Sequence, residues 1–590
     1  MTVTGVDRDG RPAQGPVHLW SAETGELHGG FMGDGTATIQ VPDGLYSMSA
    51  TLDTREGIFD PPTSTTVAGD PDLTIRRDRT LHLDARDGEP VQVSTDRDAV
   101  VDSYNLTWRR QVGDRSFSLM AAQTGAAHGT ELYTIPSRPA RTGSYDVATT
   151  WSIGEPLLSI DLPGPDDPTP WYASFADPFV GQGPVPVVDA GTGTPEEFAG
   201  LDAEGKLVLV TRRGEFTFGE QVAAAEAAGA ALVLGLNDRP GLWREFLFGA
   251  GVPPYLVDQA TGEAIRAALA GQPEPVLDLT AIASASYSYQ LAFQEDRVPG
   301  GRTYQTDEHP MATVQSDYRA ASERMNRNES WVPYVDGMVL GTSLPLPRSG
   351  PVVRTEQIST SGVQWQRFAQ PHQEFPSLYW TSSGVVQYQP DQQYQQLWWG
   401  PLTRPGVPPT TGFELVGLPV ARFRDAIRIV IDHYLYDNGQ ASGTIFEQAG
   451  DHSELTLRRN GEVVGESSWP QVQFTVPPED AELELELAVT SGPGNFSDLS
   501  THTESTWRFR SARPEADREV LPLVQLGYHL EAGPRNEVPA GAAYPLLLDP
   551  GYQPGATGPG GFTVEVEVSY DDGASWTVAP VTPVDGMVQA

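Results

Sequence analysis

The chain has no cysteine. Disulfides and thiolate metal sites are therefore excluded outright. Lysine is almost missing too: Lys206 stands alone, and arginine supplies the other cations. That bias fits a GC-rich bacterial or a salt-adapted coding sequence. Positive charge as a whole is scarce, with a net charge of −40 and a pI near 4.4. No basic surface could neutralise a phosphate backbone, so a nucleic-acid role is excluded. No apolar run approaches the ~20 residues of a membrane span. The N-terminal Met1-Thr-Val-Thr-Gly-Val-Asp has neither a charged n-region nor an apolar h-region, so no signal peptide is expected within this stretch. The chain opens within a strand, and Phe562–Tyr570 with Trp576–Val581 reads as a sandwich lacking its last strands. Both ends suggest a piece of something longer, with a leader expected upstream.

What is present is glycine and proline between short apolar runs. At 590 residues, with 61 Gly and 51 Pro spread along the chain, the pattern predicts several β-domains joined by turns. In residues 1–80, Ala37, Ile39 and Val41 alternate onto one face. Pro42-Asp43-Gly44 then turns into Leu45–Ala50. The V-P-D-G-x-Y hairpin resembles the prealbumin-like sandwiches of carboxypeptidase regulatory domains. Further on, strands are predicted at Ala426–Ile431, Glu454–Arg459, Gln473–Val476 and Leu483–Val489. Residues 520–590 resemble a fibronectin type III-like sandwich. There Ser569-x-Asp571-x-Gly573-x-x-Trp576 fits the Asp-box hairpin, a turn held by Asp571 and Gly573 with Trp576 beneath it.

Residues 205–269 carry the most information. Leu207–Val210 predicts a strand, Phe218–Ala228 a helix with Phe218, Val222 and Ala225 on one face, and Gly229 its C-cap. A second strand spans Ala231–Leu236, and a strand-helix pair follows at Pro254–Val257 and Thr261–Leu269. This is a βαβ unit, extended once. Gly205-Lys206, Arg213-Gly214, Phe218, Ala228-Gly229-Ala230, Asn237, Val252-Pro253, Val257-Asp258 and Gly262 together resemble a protease-associated (PA) domain over roughly 170–285. Such domains are inserts or appendages in secreted proteases, peptidases and sorting receptors. The resemblance implies contact with proteins or peptides and brings no catalytic residue. Strand patterns on both sides, Tyr145–Trp151 and Tyr287–Phe293, suggest an insertion within a β region.

The expected architecture is mainly β: tandem β-sandwiches with one α/β PA domain. The expected division is a prealbumin-like sandwich at 1–80, a β-sandwich at 81–168 and the PA domain at 169–285. A β-rich domain with an aromatic and Gln-rich stretch follows at 286–420, then a β-sandwich at 421–512 and a fibronectin type III-like domain at 513–590.

Three short blocks resemble those of subtilisin-like proteases, in the right order: Asp102 in Ala99–Ser103, His128 in His128-Gly129-Thr130, and Ser343 in Gly341-Thr342-Ser343. That family sets its His and Ser at the starts of long helices. Pro345, Pro347 and Pro351 forbid a helix after Ser343, and Glu131–Pro136 reads as a strand. Asp102-Ser103 is followed by Tyr104 where the family has Gly. We therefore assign no catalytic residue. Metal hydrolysis has no signature either: H-E-x-x-H is missing, and the ten histidines are scattered singly. His433 and Asp437 would share one strand face, but a strand pair explains them. Asp7-Asp9 and Asp166-Asp167 offer the oxygens calcium takes, yet turn chemistry accounts for both, so no metal or cofactor site is named. The N-x-S/T triplets at Asn105, Asn328 and Asn495 carry no argument.

Between 363 and 399 lie Trp365, Phe368, Phe375, Tyr379, Trp380, Tyr388, Tyr394, Trp398 and Trp399, with many Gln between them. Exposed, they would stack on sugars or a peptide; buried, they are a sheet core. Taken whole, the order of parts resembles the non-catalytic C-terminal region of large secreted subtilisin-like serine proteases of actinobacteria. The resemblance implies a chain that is not itself an enzyme. It would bind protein or peptide substrate outside the cell and be covalently linked to a catalytic domain in a longer parent. A stand-alone secreted polysaccharide- or protein-binding protein and an unrecognised hydrolase are the alternatives.

Overall fold

The computed structural model describes residues 1–57, 60–123, 130–163, 168–174, 177–213, 216–243, 245–247, 249–319, 326–341, 346–372, 381–407, 419–436, 441–444, 450–492 and 498–590. It is mainly β, and the three α-helices among the described residues all fall between residues 195 and 269.

Four β layers are stacked. Sheet I has three strands, with Thr2–Val6 between Thr36–Thr38 and Thr80–Asp84. It covers one face of the seven-stranded sheet II. Val3, Ala37 and Leu83 from sheet I meet Val17, Leu19, Ala50 and Leu52 from sheet II. Ala37 and Ile39 are buried as the alternation predicts, with Val41 partly buried beside them. The Tyr46 hydroxyl closes the predicted turn by donating to the Pro42 carbonyl at 2.8 Å. Sheet II extends well beyond this first core. Ser64–Ile75 pairs in parallel with Glu131–Ile135, and Glu89–Ser94 and Arg302–Gln305 continue the sheet.

The other face of sheet II packs on the seven-stranded sheet III. Val67, Val91, Leu132 and Tyr304 meet Leu106, Trp108, Val147, Trp151 and Leu291. Sheet III runs Arg115–Gln123, Val100–Val112, Ser144–Gly154, Tyr287–Glu295, Val352–Ser359, Met311–Tyr318, Gln393–Trp398. Its far face carries small and polar side chains and packs on the eight-stranded sheet V, where Ala148, Ala292, Val314 and Ile358 meet Trp331 and Trp365. Strand alternation thus gives sheet III two buried faces with different chemistry.

Sheet IV is the PA-like segment. Downstream, sheets VI and VII form a separate sandwich. Ala481–Thr490 turns Leu483, Leu485, Leu487 and Val489 inward, while Glu484 and Glu486 pair with Arg508 and Arg458 outside. The observed strands Ala426–Val430, His452–Arg459 and Gln471–Thr475 follow the predicted ones to within two residues. The last residues give a four-stranded sheet VIII and a two-stranded ribbon, Val566–Val568 with Thr577–Ala579. In that ribbon Asp571 accepts from the Ser575 amide and hydroxyl at 2.8 and 2.7 Å, as the Asp-box predicts. Trp576 differs from expectation: it lies by Gly573 but is 60% exposed, because no second layer covers the ribbon.

Candidate functional site

Sheet IV orders its strands Leu158–Asp161, Val276–Ala281, Gly181–Asp189, Leu207–Thr211, Leu232–Leu236, Pro254–Val257, Trp171–Tyr172. The central strands are parallel, as alternation of strand and helix requires. Helix α1 is Pro195–Phe198, α2 is Phe218–Ala227 and α3 is Gln259–Leu269. Thr217 caps α2 in a reciprocal box with Glu220. Gly229 follows its end at φ +78°, the left-handed conformation that favours glycine. The predicted face of α2 is the buried one, with Phe218 and Ala225 at 0% exposure and Val222 at 2%. Gly235 is needed for close approach: a Cβ there would lie 2.8 Å from the Phe218 ring. In α1, Glu197 takes hydrogen bonds from the Thr192 hydroxyl and from the Thr194 and Thr192 amides. These hold its carboxyl down at about 2.

The segment joins the β layers through a two-stranded neck. Ser144–Gly154 and Tyr287–Glu295 are antiparallel neighbours in sheet III, with Gly154 opposite Ser288. The Glu155 amide donates to Tyr287, and the Glu155 carboxylate accepts from Ser286. Directly beyond, Leu158 pairs with Ala281 in sheet IV. A second contact comes from the side. Asp60, in a loop of the first core, meets Arg212 at 3.4 Å and Arg239 at 3.5 Å. Arg212 is itself held by Asn237 at 3.3 Å and lies over the Trp243 ring. Nothing local singles out Asp60, since Arg212 lies 152 residues further along the chain and Arg239 further still.

Of the residues weighed for catalysis, only Asp102 and His433 fall among the described residues. His128 and Ser343 lie outside the described residues. Asp102 occupies Val100–Val112 at a β-bulge, where Ser152 pairs with Ser103 and Ile153 with Val101. Asp437 is also outside the described residues, and His433 pairs instead with its neighbour Asp432 at 2.7 Å, both buried. Among the described residues no group of three His, Asp or Glu could hold a metal. Asp7 accepts from the Asp9 and Arg11 amides, as a turn does; Asp166 and Asp167 are outside the described residues. Asn105 is buried and donates to Thr150.

Of the aromatic stretch, Trp365, Tyr388, Trp398 and Trp399 are at most 2% exposed. Phe375, Tyr379 and Trp380 lie outside the described residues. The rings of Tyr318, Trp331 and Trp398 flank a charged cluster that sequence reasoning missed. Arg354 Nη1 lies 2.5 Å from Glu329 Oε2, and Arg367 bonds Glu356. The Tyr318 hydroxyl donates to Glu329 at 2.7 Å and the Ser316 hydroxyl to Glu356 at 2.5 Å. Arg367 also lies over the Trp331 ring at 4.4 Å. Burial by itself lowers both guanidinium groups, but the paired carboxylates outweigh it and hold both above their ordinary value. All four charges are buried, and the cluster joins sheets III and V.

Residues 182–265 match the PA domain family. No curated protein matches the chain. Among solved structures, an aminopeptidase from Aneurinibacillus sp. strain AM-1 is 22% identical over 23% of this chain and 32% of its own, with a TM-score of 0.19. A zinc aminopeptidase from Bacillus subtilis is 27% identical over 25% and 35%, with a TM-score of 0.18. A peptidase M28 precursor from Shewanella amazonensis SB2B is 10% identical over 26% and 39%, with a TM-score of 0.16. The chain thus spans about a third of the length of the structures it matches. It is a multidomain β chain that carries a PA domain. No helix among the described residues is long and apolar enough to cross a membrane.

Proposed function

We propose that this chain is an accessory, non-catalytic region of an extracellular subtilisin-like serine endopeptidase. In that reading it is covalently linked to a catalytic domain in a longer parent, and it binds or positions protein substrate and restricts access to the active site. The observation that carries it is the PA domain at 182–265, set into the β layers through a two-stranded neck and the Asp60 contact. Such a mount fixes the orientation of a domain whose relatives accompany proteolysis. The burial of Trp365, Trp398 and Trp399 favours a polypeptide over a sugar ligand, since none of these rings is free to stack.

Fluorescein-labelled casein tests the reading. The purified chain raises casein anisotropy and releases no acid-soluble fluorescence. Casein turnover that survives stringent purification and is blocked by a fluorophosphonate sinks it, and so does failure to bind casein at all.

A further inference from the structure

Sheet III leaves one part of its surface uncovered by sheet II. At this edge Met311–Tyr318 lies between Val352–Ser359 and Gln393–Trp398. Opposite stands sheet VIII, with Leu547 paired to the strand end at His529 and Glu531 just beyond it. Between them is a cleft of about 640 Å³, within the usual range for ligand sites. The Asn536 side chain steadies the far wall by donating to the Trp399 carbonyl at 2.9 Å.

The register sets the chemistry of the floor. Ser316 and Tyr318 point into the buried charged cluster, so Gln315 and Asp317 point the other way, into the cleft. Asp317 is opposite Val353 on one side and Leu397 on the other. A carboxylate therefore sits between two aliphatic side chains, and Val353 is 52% exposed. In the adjacent row Gln315 is opposite Gln395, amide beside amide. Arg319 closes the end: its Nε donates to Asp317 at 3.2 Å, while its buried Nη1 has no partner.

We propose that this cleft binds an extended polypeptide segment carrying a basic side chain, a reading that rests on the substrate-binding role above and gives it a place. The aliphatic stem of an arginine or lysine lies on Val353 and Leu397, and its charged head reaches Asp317 and Glu531. The paired glutamines take the peptide groups on either side. Two carboxylates against one arginine, on a chain of net charge −40, disfavour an acidic ligand. A sugar is disfavoured because no Phe, Tyr or Trp is among the described lining residues.

The test uses the full chain and two dansylated heptapeptides, Ala-Val-Ser-Arg-Ser-Val-Ala and its counterpart with Glu for Arg, read by fluorescence anisotropy. The Arg peptide is expected to bind about tenfold tighter or better, a gap of ~1.4 kcal/mol. Asp317→Asn is expected to remove most of that preference. Glu531→Gln, on an exposed side chain, gives a partial loss without risk to folding, whereas Glu567→Gln, exposed on the separate ribbon and outside the cleft lining, leaves it intact. Equal affinity for the two peptides overturns the proposal. So does an equal loss in Glu567→Gln, which would assign the preference to the overall field, and so does displacement of the Arg peptide by maltohexaose. If casein still binds while the two peptides are not distinguished, the cleft assignment falls and the accessory role stands. Casein turnover removes the accessory role, and the peptide preference then decides the cleft by itself.

Discussion

Arg354 and Val353 show how far a local pattern carries. In Val352–Ser359 the ordinary rule turns valine inward and arginine outward. The structure has the reverse, with Val353 exposed and Arg354 buried at 2%. The reason lies on other strands: Glu329 and Arg367 complete a four-charge cluster that no local window contains. Removing one charge should be costly. Glu356→Gln leaves Arg367 buried without its closest counter-charge, and an expected loss of ~3–5 kcal/mol should lower the urea midpoint. Replacing all four by apolar residues of similar volume should cost far less, since desolvation offsets most of the attraction. Glu197 makes a pH prediction. Its folded carboxyl is depressed to about 2 from an ordinary 4.5. Its contribution is therefore complete above about pH 4.5 and is lost as pH falls toward 2. Protection factors around α1, corrected for intrinsic exchange at each pH, should fall over that window in the parent chain and show no such step in Glu197→Gln.

At the scale of elements, the PA domain was the most legible part because it is locally encoded. Its central strands and helices pair with near neighbours, its caps are short motifs, and its helix periodicity is direct. Sheets II and III were legible only as strands. Their partners are remote, as with Ser64–Ile75 beside Glu131–Ile135 or Val100–Val112 beside Ser144–Gly154, and alternation names a face without naming a neighbour. The candidate catalytic residues could be weighed only by their flanking prolines and strand patterns. The cleft residues gave no signal, because Asp317 and Leu397 meet only across a parallel pair. The neck predicts a clean excision. Replacing residues 157–282 by Asn-Gly leaves Glu155, Ser286 and the Gly154–Ser288 pair in place, and the circular dichroism of the β layers should keep its melting midpoint within a few degrees. Asp60→Asn acts on the side contact. It should cost ~1 kcal/mol, as a partly buried ion pair does, and appear as faster amide exchange in the segments around Arg212 and Arg239 with sheet III unchanged.

At the scale of the molecule, charge and layering oppose each other. A net charge of −40 repels itself, while surface pairs such as Arg508–Glu484 and Arg510–Asp480 are individually weak. Moderate salt screens both, and repulsion is the larger, so added sodium chloride should raise the melting midpoint by a few degrees. A fall would mean that the pairs dominate. The placement of the PA domain also orders the birth of the fold. During synthesis Ser144–Gly154 waits for its partner Tyr287–Glu295 while on the order of 130 residues emerge, roughly ten seconds at ribosomal speed. Joining two strands across so long a slack chain costs about 4 kcal/mol in closure entropy. A PA domain that has already folded brings Leu158 and Ala281 side by side and reduces the open loop to its neck. The inserted domain is then a staple for the sheet that holds it, and a mutation deep in its own core would first be felt as slow zippering of sheet III.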